Sequence, residues 1–211
     1  IKHDCASILE FRKIGNAFVN KIGEVVELEE TYVFPLLKGS DVAQGRVQTT
    51  DRYALVTQKF VGESTEEIRE IAPKTWQYLE SHIDEFNSRK SKIYQNSPKF
   101  SIFGVGSYTF APWKIAICGL YKRLEFKLVG SILGKPAVFD DTVYLLSFED
   151  QQAALKLYSF LSSPSAIEFY SSLIFWDEKR PIKSTILNSL DLEALLEMNH
   201  VDTSHASKLR H

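Results

Sequence analysis

The sequence predicts an α+β fold in which a twisted antiparallel sheet is flanked by helices, and three observations carry that reading. First, residues 100–146 are a succession of short β-type runs interrupted by Gly104, Gly106, Pro112, Gly119, Gly130, Gly134 and Pro136, the texture of five or six antiparallel strands joined by turns. Second, helical spacing brackets that stretch. Trp76, Leu79, Ile83 and Phe86 recur on one face before it, and residues 151–161 and 165–175 read as two helices after it, separated at Ser163-Pro164. Third, 44% hydrophobic and 25% charged residues over 211 positions is an ordinary globular composition, long enough to bury a core without a metal or a disulfide.

The other elements follow in chain order. Residues 4–18 read as helical in part, with Ile8, Leu9 and Phe11 on one apolar face and Gly15-Asn16 as the stop. A β-leaning segment runs on through Tyr32 and Phe34. Pro35 then opens the turn-rich PLLKGSDV, read as a boundary, and RYALVTQ at 52–58 reads as a strand. Ser64 and Glu67 stand at capping-box spacing, and Pro73 suits the first turn of a second helical segment. A short helix is expected near Asp191, with a disordered tail after His200.

Composition also bounds function. Cys5 and Cys118 are far apart and neither sits in a C-x-x-C pair, so zinc and dithiol chemistry have no support, and a reducing cytoplasm is the expected compartment. The longest apolar runs, such as residues 115–120, are far too short to cross a bilayer, and the first residues carry no signal-peptide pattern, so no membrane partner is expected. The sequence begins at Ile1 without a methionine, as expected of a piece of something longer. Net charge is −2, which by itself counts mildly against nucleic acid. Its distribution says more: residues 89–135 hold Arg89, Lys90, Lys92, Lys99, Lys114, Lys122, Arg123, Lys127 and Lys135 against the single acid Glu125, a local charge of +8.

Four patterns are candidates for chemistry or binding. Residues 102–106, IFGVG, have the glycine spacing of a nucleotide-binding turn, with Glu125 downstream for a ribose. Such a turn must open a helix, however, and the following residues contain Pro112 and Gly119 and favour strands, so the glycines are read as part of the sheet. Asp140-Asp141 pairs two carboxylates, but neighbours on a strand point to opposite faces, and a turn role before Thr142 outweighs acid/base work. His82 lies beside an apolar stripe with no partner histidine at helical spacing, so an interface or surface role outweighs catalysis. Interleaved cations and aromatics (Tyr94, Tyr108, Phe110, Trp113 and Tyr121 among Arg89 to Arg123) suit phosphate neutralisation with base-edge contact or stacking. Trp76, Trp113 and Trp176 sit in apolar settings and are read as core or interface anchors.

The order of these segments resembles the TaqI-like C-terminal specificity domain of adenine-specific DNA methyltransferases and of fused type IIG restriction-modification enzymes. The family's opening Pro-x-x-[Lys/Arg]-Gly-x-Asp element is matched by Pro35, Lys38, Gly39 and Asp41. The helix from Leu79 to Arg89, with Lys90, matches its helix ending in a basic residue. PKFSIFGVGSYTFAPWKIAICGLYK, 98–122, is similar to a run found in a subset of these enzymes, and GKPAVFDDTVYLL with LYSFLSSPSAIEFYSSLIF resembles the family's closing strand and helix. The likeness covers residues 35 to about 196. The Asn/Asp-Pro-Pro-Tyr tetrapeptide that holds the target adenine in such enzymes occurs nowhere in the sequence.

The resemblance implies residues 1–34 as the trailing segment of a methyltransferase domain or linker, 35–200 as the target-recognition domain and 201–211 as the disordered tail. It implies a chain that is not itself an enzyme and holds no cofactor. Its parent would be a bacterial adenine-specific DNA methyltransferase using S-adenosylmethionine in a preceding catalytic domain, and its partners duplex DNA and that domain. Expected phosphate contacts are Lys38, Lys90, Lys92, Lys114, Lys122 and Arg123, with Ser107, Tyr108 and Thr109 for base edges or the groove. Two other classes stay open: a protein-interaction scaffold, and a small-molecule enzyme using Asp140 or Asp141 with His82.

Overall fold

A computed structural model describes residues 1–15 and 17–190, so the helix expected near Asp191 and the tail after His200 lie outside the described residues. The fold is α+β, with antiparallel sheets flanked by helices, as the sequence predicts. The chain forms two compact units with interleaved boundaries. Unit 1 is Ile1–Leu36 with Thr50–Thr109, and unit 2 is Leu37–Thr49 with the residues from Phe110 onward. Pro35, the expected start of a recognition domain, stands just before the first crossing between them.

In unit 1 a one-turn helix α1 (Ala6–Leu9) runs directly into strand β1 (Glu10–Ile14). This corrects the expected helix over 4–18: Phe11 is buried by strand alternation, and Gly15, at a φ of +61°, belongs to the turn of a hairpin. Strand β1 pairs antiparallel with β2 (Ala17–Asn20), and β2 pairs with β3 (Val25–Val26). Through Phe11↔Tyr53, β1 also pairs with β5 (Arg52–Leu55), which pairs with β4 (Val33–Leu37). The neighbours therefore run β3-β2-β1-β5-β4 within the unit. Edge-to-face rings tie the sheet together, Phe11 to Phe18 at 6.2 Å and Phe18 to Tyr53 at 5.5 Å.

Helices α3 (Ile68–Ile71), α4 (Pro73–Ser81) and α5 (Ile83–Asn87) complete the unit's helical side. Pro73 sits in the first turn of α4, as its missing N–H and fixed φ predict. The Ser64–Glu67 capping box does not form: the Ser64 hydroxyl accepts from the Glu66 amide, one turn before α3. Trp76, Leu79 and Phe86 are buried at the predicted periodicity, and Tyr78 donates to the Ile8 carbonyl at 2.8 Å, fastening α4 to α1.

Unit 2 is built on a three-stranded antiparallel sheet, β7 (Lys127–Val129), β6 (Trp113–Cys118) and β9 (Val143–Phe148), with β6 between the others. Strand β8 (Val138–Phe139) is only two residues long. The five or six strands expected between residues 100 and 146 are thus reduced, because 100–112 form bends and the one-turn helix α6 (Ser107–Phe110). Register places Ile115, Ile117, Tyr144, Leu146 and Phe148 on one face. There they pack with Ala154, Leu157 and Leu161 of α7 (Gln151–Leu161) and Tyr170 of α8 (Pro164–Leu173). Both helices begin within a residue of the expected starts, and each is capped: Asp150 accepts from the Ala153 amide at 2.8 Å and Ser163 from the Ala166 amide at 3.3 Å. Short α9 (Ser184–Leu187) closes this core, with its Leu187 carbonyl accepting from the Tyr170 hydroxyl.

Helix α2 (Gly39–Ala43) gives the Pro-x-x-Lys-Gly-x-Asp element a structural meaning. Pro35 lies in β4, and the buried Asp41 carboxylate accepts the Lys38 amide at 2.9 Å and the Arg46 guanidinium at 3.0 Å. A Cβ at Gly39 would stand 2.2 Å from the Thr142 hydroxyl and 2.6 Å from the Cys118 sulfur, so only glycine fits there.

Candidate nucleic-acid interface

The expected site residues fall into groups, each set by its local fold. Lys90 and Lys92 lie in the segment after α5 and are exposed; neither side chain makes an ion pair or hydrogen bond among the described residues. Asn87, Arg89, Ser91, Tyr94, Gln95, Ser97, Lys99 and Phe100 of the same stretch line a cleft of about 330 Å³ within unit 1. Arg89 and Lys99 were not among the expected contacts, although both stand in the basic run. The signal that marks this stretch is the absence of any acid from Phe86 through Leu124.

Arg89 is fixed in that wall. Its Nε donates to the Phe86 carbonyl at 3.0 Å, its Nη1 to the Ser101 carbonyl at 2.6 Å, and its guanidinium lies 3.7 Å from the centre of the Tyr94 ring. Burial lowers its pKa, yet a guanidinium keeps its charge, so Arg89 lends the cleft a positive potential that carbonyl dipoles and a ring face stabilise. Lys99 reaches out near Glu80, 3.8 Å away, and both are half exposed, an ion pair that water screens.

Ser107, Tyr108 and Thr109 occupy α6. Ser107 is exposed and Tyr108 half-buried, whereas Thr109 is buried with its hydroxyl accepting the Gly106 amide at 3.1 Å. Thr109 therefore shapes the turn rather than presenting a group to the groove. Three amides of the glycine run are engaged: Gly106 N with the Thr109 hydroxyl, Ile102 N donating to Gln58 Oε1 at 2.9 Å, and Phe103 N pairing with Lys2 in two reciprocal backbone bonds of 2.7 Å. A cofactor-binding turn offers its amides to the ligand and opens a full helix, whereas here three of the amides are taken and only the one-turn α6 follows, a poor fit to S-adenosylmethionine.

In unit 2, Lys122 and Arg123 are exposed neighbours in the β6–β7 connection. Arg123 pairs with Glu125, which Lys127 also contacts; Lys127 foremost holds that carboxylate below its usual pKa. Lys122 lies 3.7 Å from the exposed Asp177, a weak pair that a phosphate can displace. Lys38 is half-buried at the start of α2. Lys114 departs from expectation: it is 1% exposed, its ammonium donates to the Ala111 carbonyl at 2.7 Å, and burial pushes its pKa down to about 7. A group so enclosed is not available to a phosphate, and the basic segment is correspondingly less charged than its composition states.

The residues weighed for small-molecule catalysis are engaged where they stand. His82 meets the Tyr78 carbonyl and Ser81 hydroxyl through Nδ1 and Glu24 through Nε2 at 2.9 Å. Asp140, rather than Asp141, accepts the Thr142 amide and hydroxyl in the turn before β9. Cys5 and Cys118 are free and buried, and burial raises the Cys5 thiol to about 11, so it is not a nucleophile at neutral pH. Among the described residues no three His, Cys, Asp or Glu side chains assemble a metal site, and no helix is long and apolar enough to cross a membrane.

Against known proteins, 198 residues of this sequence, 94% of the chain, align at 66% identity with the Type II methyltransferase M.NspV of a Nostoc species. The chain is similar to a portion of a methyltransferase. It spans 41% of that relative's length. No family model matches.

Proposed function

We propose that this chain is the TaqI-like target-recognition portion of a larger adenine-specific DNA methyltransferase of a restriction-modification system, reading duplex sequence while another region of the protein carries out methyl transfer. The observation that carries the reading is the 66% identity to a Type II methyltransferase over nearly the whole chain, confined to 41% of that protein. The acid-free basic stretch and its cleft supply the chemistry for DNA. The engaged amides of Ile102, Phe103 and Gly106 supply the reason to place S-adenosylmethionine in the parent's catalytic domain.

In this reading Lys38, Lys90, Lys92, Lys122 and Arg123 neutralise phosphates and fix the register of the chain on the duplex, with Arg89 and Lys99 adding to the field over the unit 1 cleft. Ser107 and Tyr108 offer hydroxyls to base edges. Extruding an adenine costs a few kcal/mol of unpairing and unstacking, which contacts made on both faces of a bacterial cytoplasmic enzyme's cleft offset. An interaction scaffold is the second reading, favoured by the exposed Phe169 and Leu173, four residues apart on α8, and by Phe175. These same side chains suit contact with the catalytic domain of the parent chain.

The test is methyl transfer by the full-length protein to a mixed-sequence duplex with labelled S-adenosylmethionine, followed by mapping of the modified base. N6-methyladenine confined to one sequence word is the expected result. Label on cytosine, or on adenines regardless of context, would sink the proposal.

A further inference from the structure

Among the described residues, four other than glycine have a positive φ: Asp4, Asn96, Phe100 and Leu133. Asp and Asn tolerate that region through their short polar side chains. Phe100 is buried between Trp76 and Phe86, whose ring contacts offset the strain. Leu133 has neither excuse. Its φ is +51° and it is 82% exposed, the most exposed large apolar side chain among the described residues.

Leu133 and Gly134, at a φ of +77°, are the two central residues of a tight hairpin turn. Ile132 and Lys135 close it with reciprocal backbone bonds of 2.8 and 3.0 Å. Positive φ at both central positions is the geometry that Asn-Gly satisfies best. Ile132 is buried and anchors the base, so the hairpin holds a strained leucine outward on a fixed stem. Such strain at an exposed apolar tip points to a use outside the fold. Lys135 closes the turn beside Leu133, and the sequence holds no acid from Phe126 through Phe139.

From this we infer that Leu133 is a wedge that enters a base step of duplex DNA, an inference that rests on the DNA reading above. One apolar side chain is too small to support a protein interface, which needs several hundred Å² per partner, whereas a single leucine suffices to separate stacked base pairs. Lys135, next to the tip, suits a phosphate beside the opened step, and opening a step lowers the cost of extruding a neighbouring base.

The test compares the full-length protein with its Leu133→Asn variant on two duplexes, one intact and one with a central single-nucleotide gap, each carrying 2-aminopurine beside the centre. The wild type should bind the gapped duplex about tenfold more tightly, because its unstacking is already done, and should raise 2-aminopurine fluorescence. Leu133→Asn should lose both effects, keep salt-dependent binding to the intact duplex, and melt roughly 2–4 °C higher as the turn relaxes. A variant that keeps the gap preference and the fluorescence rise overturns the wedge and leaves DNA recognition standing. A changed oligomeric state with unaltered fluorescence assigns Leu133 to a protein contact and also overturns it. Failure of the wild type to bind either duplex overturns the DNA reading, and the wedge with it.

Discussion

Phe100→Ala is expected to lose about 3–5 kcal/mol of stability in unit 1, the range for truncating a fully buried aromatic ring. Phe100 is 1% exposed, with Trp76 5.3 Å and Phe86 5.0 Å away in edge-to-face contact, each pair contributing about 0.5–1.5 kcal/mol beyond burial. Alanine also gains nothing from the backbone. At a φ of +56° a Cβ remains strained, so the substitution removes the compensating contacts and keeps the strain. Phe100→Gly loses the same ring but relieves the φ and should recover roughly 1 kcal/mol of the difference. Urea unfolding of the two variants and the wild type measures both numbers. Equal stability of the alanine and glycine variants would contradict the strain argument. Because Phe100 lines the cleft and its neighbour Ser101 receives Arg89, the alanine variant should also loosen the basic wall.

Lys114→Met should raise stability, and the gain should depend on pH in a defined direction. Lys114 is buried in β6 with one bond, to the Ala111 carbonyl, and desolvation lowers its pKa from 10.5 to about 7, with Glu149 partly opposing the shift. A lysine whose folded pKa is depressed carries its full penalty below about pH 7, where both folded and unfolded states are protonated. Between about 7 and 10.5 the unfolded chain binds the extra proton, so wild-type stability rises with pH across that window and the penalty vanishes above it. Methionine keeps the unbranched stem without the charge. The variant should therefore exceed the wild type by roughly 1–4 kcal/mol at or below neutral pH, less the cost of leaving the Ala111 carbonyl unpaired. The gap should close as pH approaches 10. Thermal melts of both proteins across pH 6–10 decide it: a gap that does not vary with pH means Lys114 does not titrate in the fold.

These two residues also show what the sequence makes legible. Local signals held except at Ser64–Glu67, where the expected capping box is replaced by a bond from the Glu66 amide. Pro73 marks the start of α4, Asp150 and Ser163 mark the starts of α7 and α8, and each acts through a bond or a fixed φ within four residues of itself. The first hairpin was misread because Ile8, Leu9 and Phe11 span a change of period: one turn of helix precedes a strand, and apolar spacing over so few residues satisfies both. The strands expected at 100–112 fail for a different reason. Gly104 and Phe100 take positive φ, which a strand does not accommodate, and nothing in β propensity records that.

The candidate site was legible by composition and not by geometry. The basic run announced itself, but Lys114 reads as any other cation until its burial is known, and Arg89 reads as a surface charge until its carbonyl partners and the Tyr94 ring appear. Burial depends on residues distant in sequence, which no local pattern encodes. The same limit hid Leu133, an ordinary apolar residue in a β-rich stretch until its φ and exposure set it apart.

The proposed grip on DNA rests on exposed cations of the basic segment, Lys90 and Lys92 among them. It is tested most directly by fluorescence-anisotropy titration of a labelled duplex over a series of salt concentrations, comparing the wild type with the Lys90→Ala, Lys92→Ala double variant in the full-length protein. Each phosphate contact contributes about 0.9 to the slope of log K against log salt, so the double variant should bind every duplex sequence more weakly, with a slope shallower by nearly two. Parallel lines for the two proteins, or wild-type binding that does not weaken with salt, would contradict it.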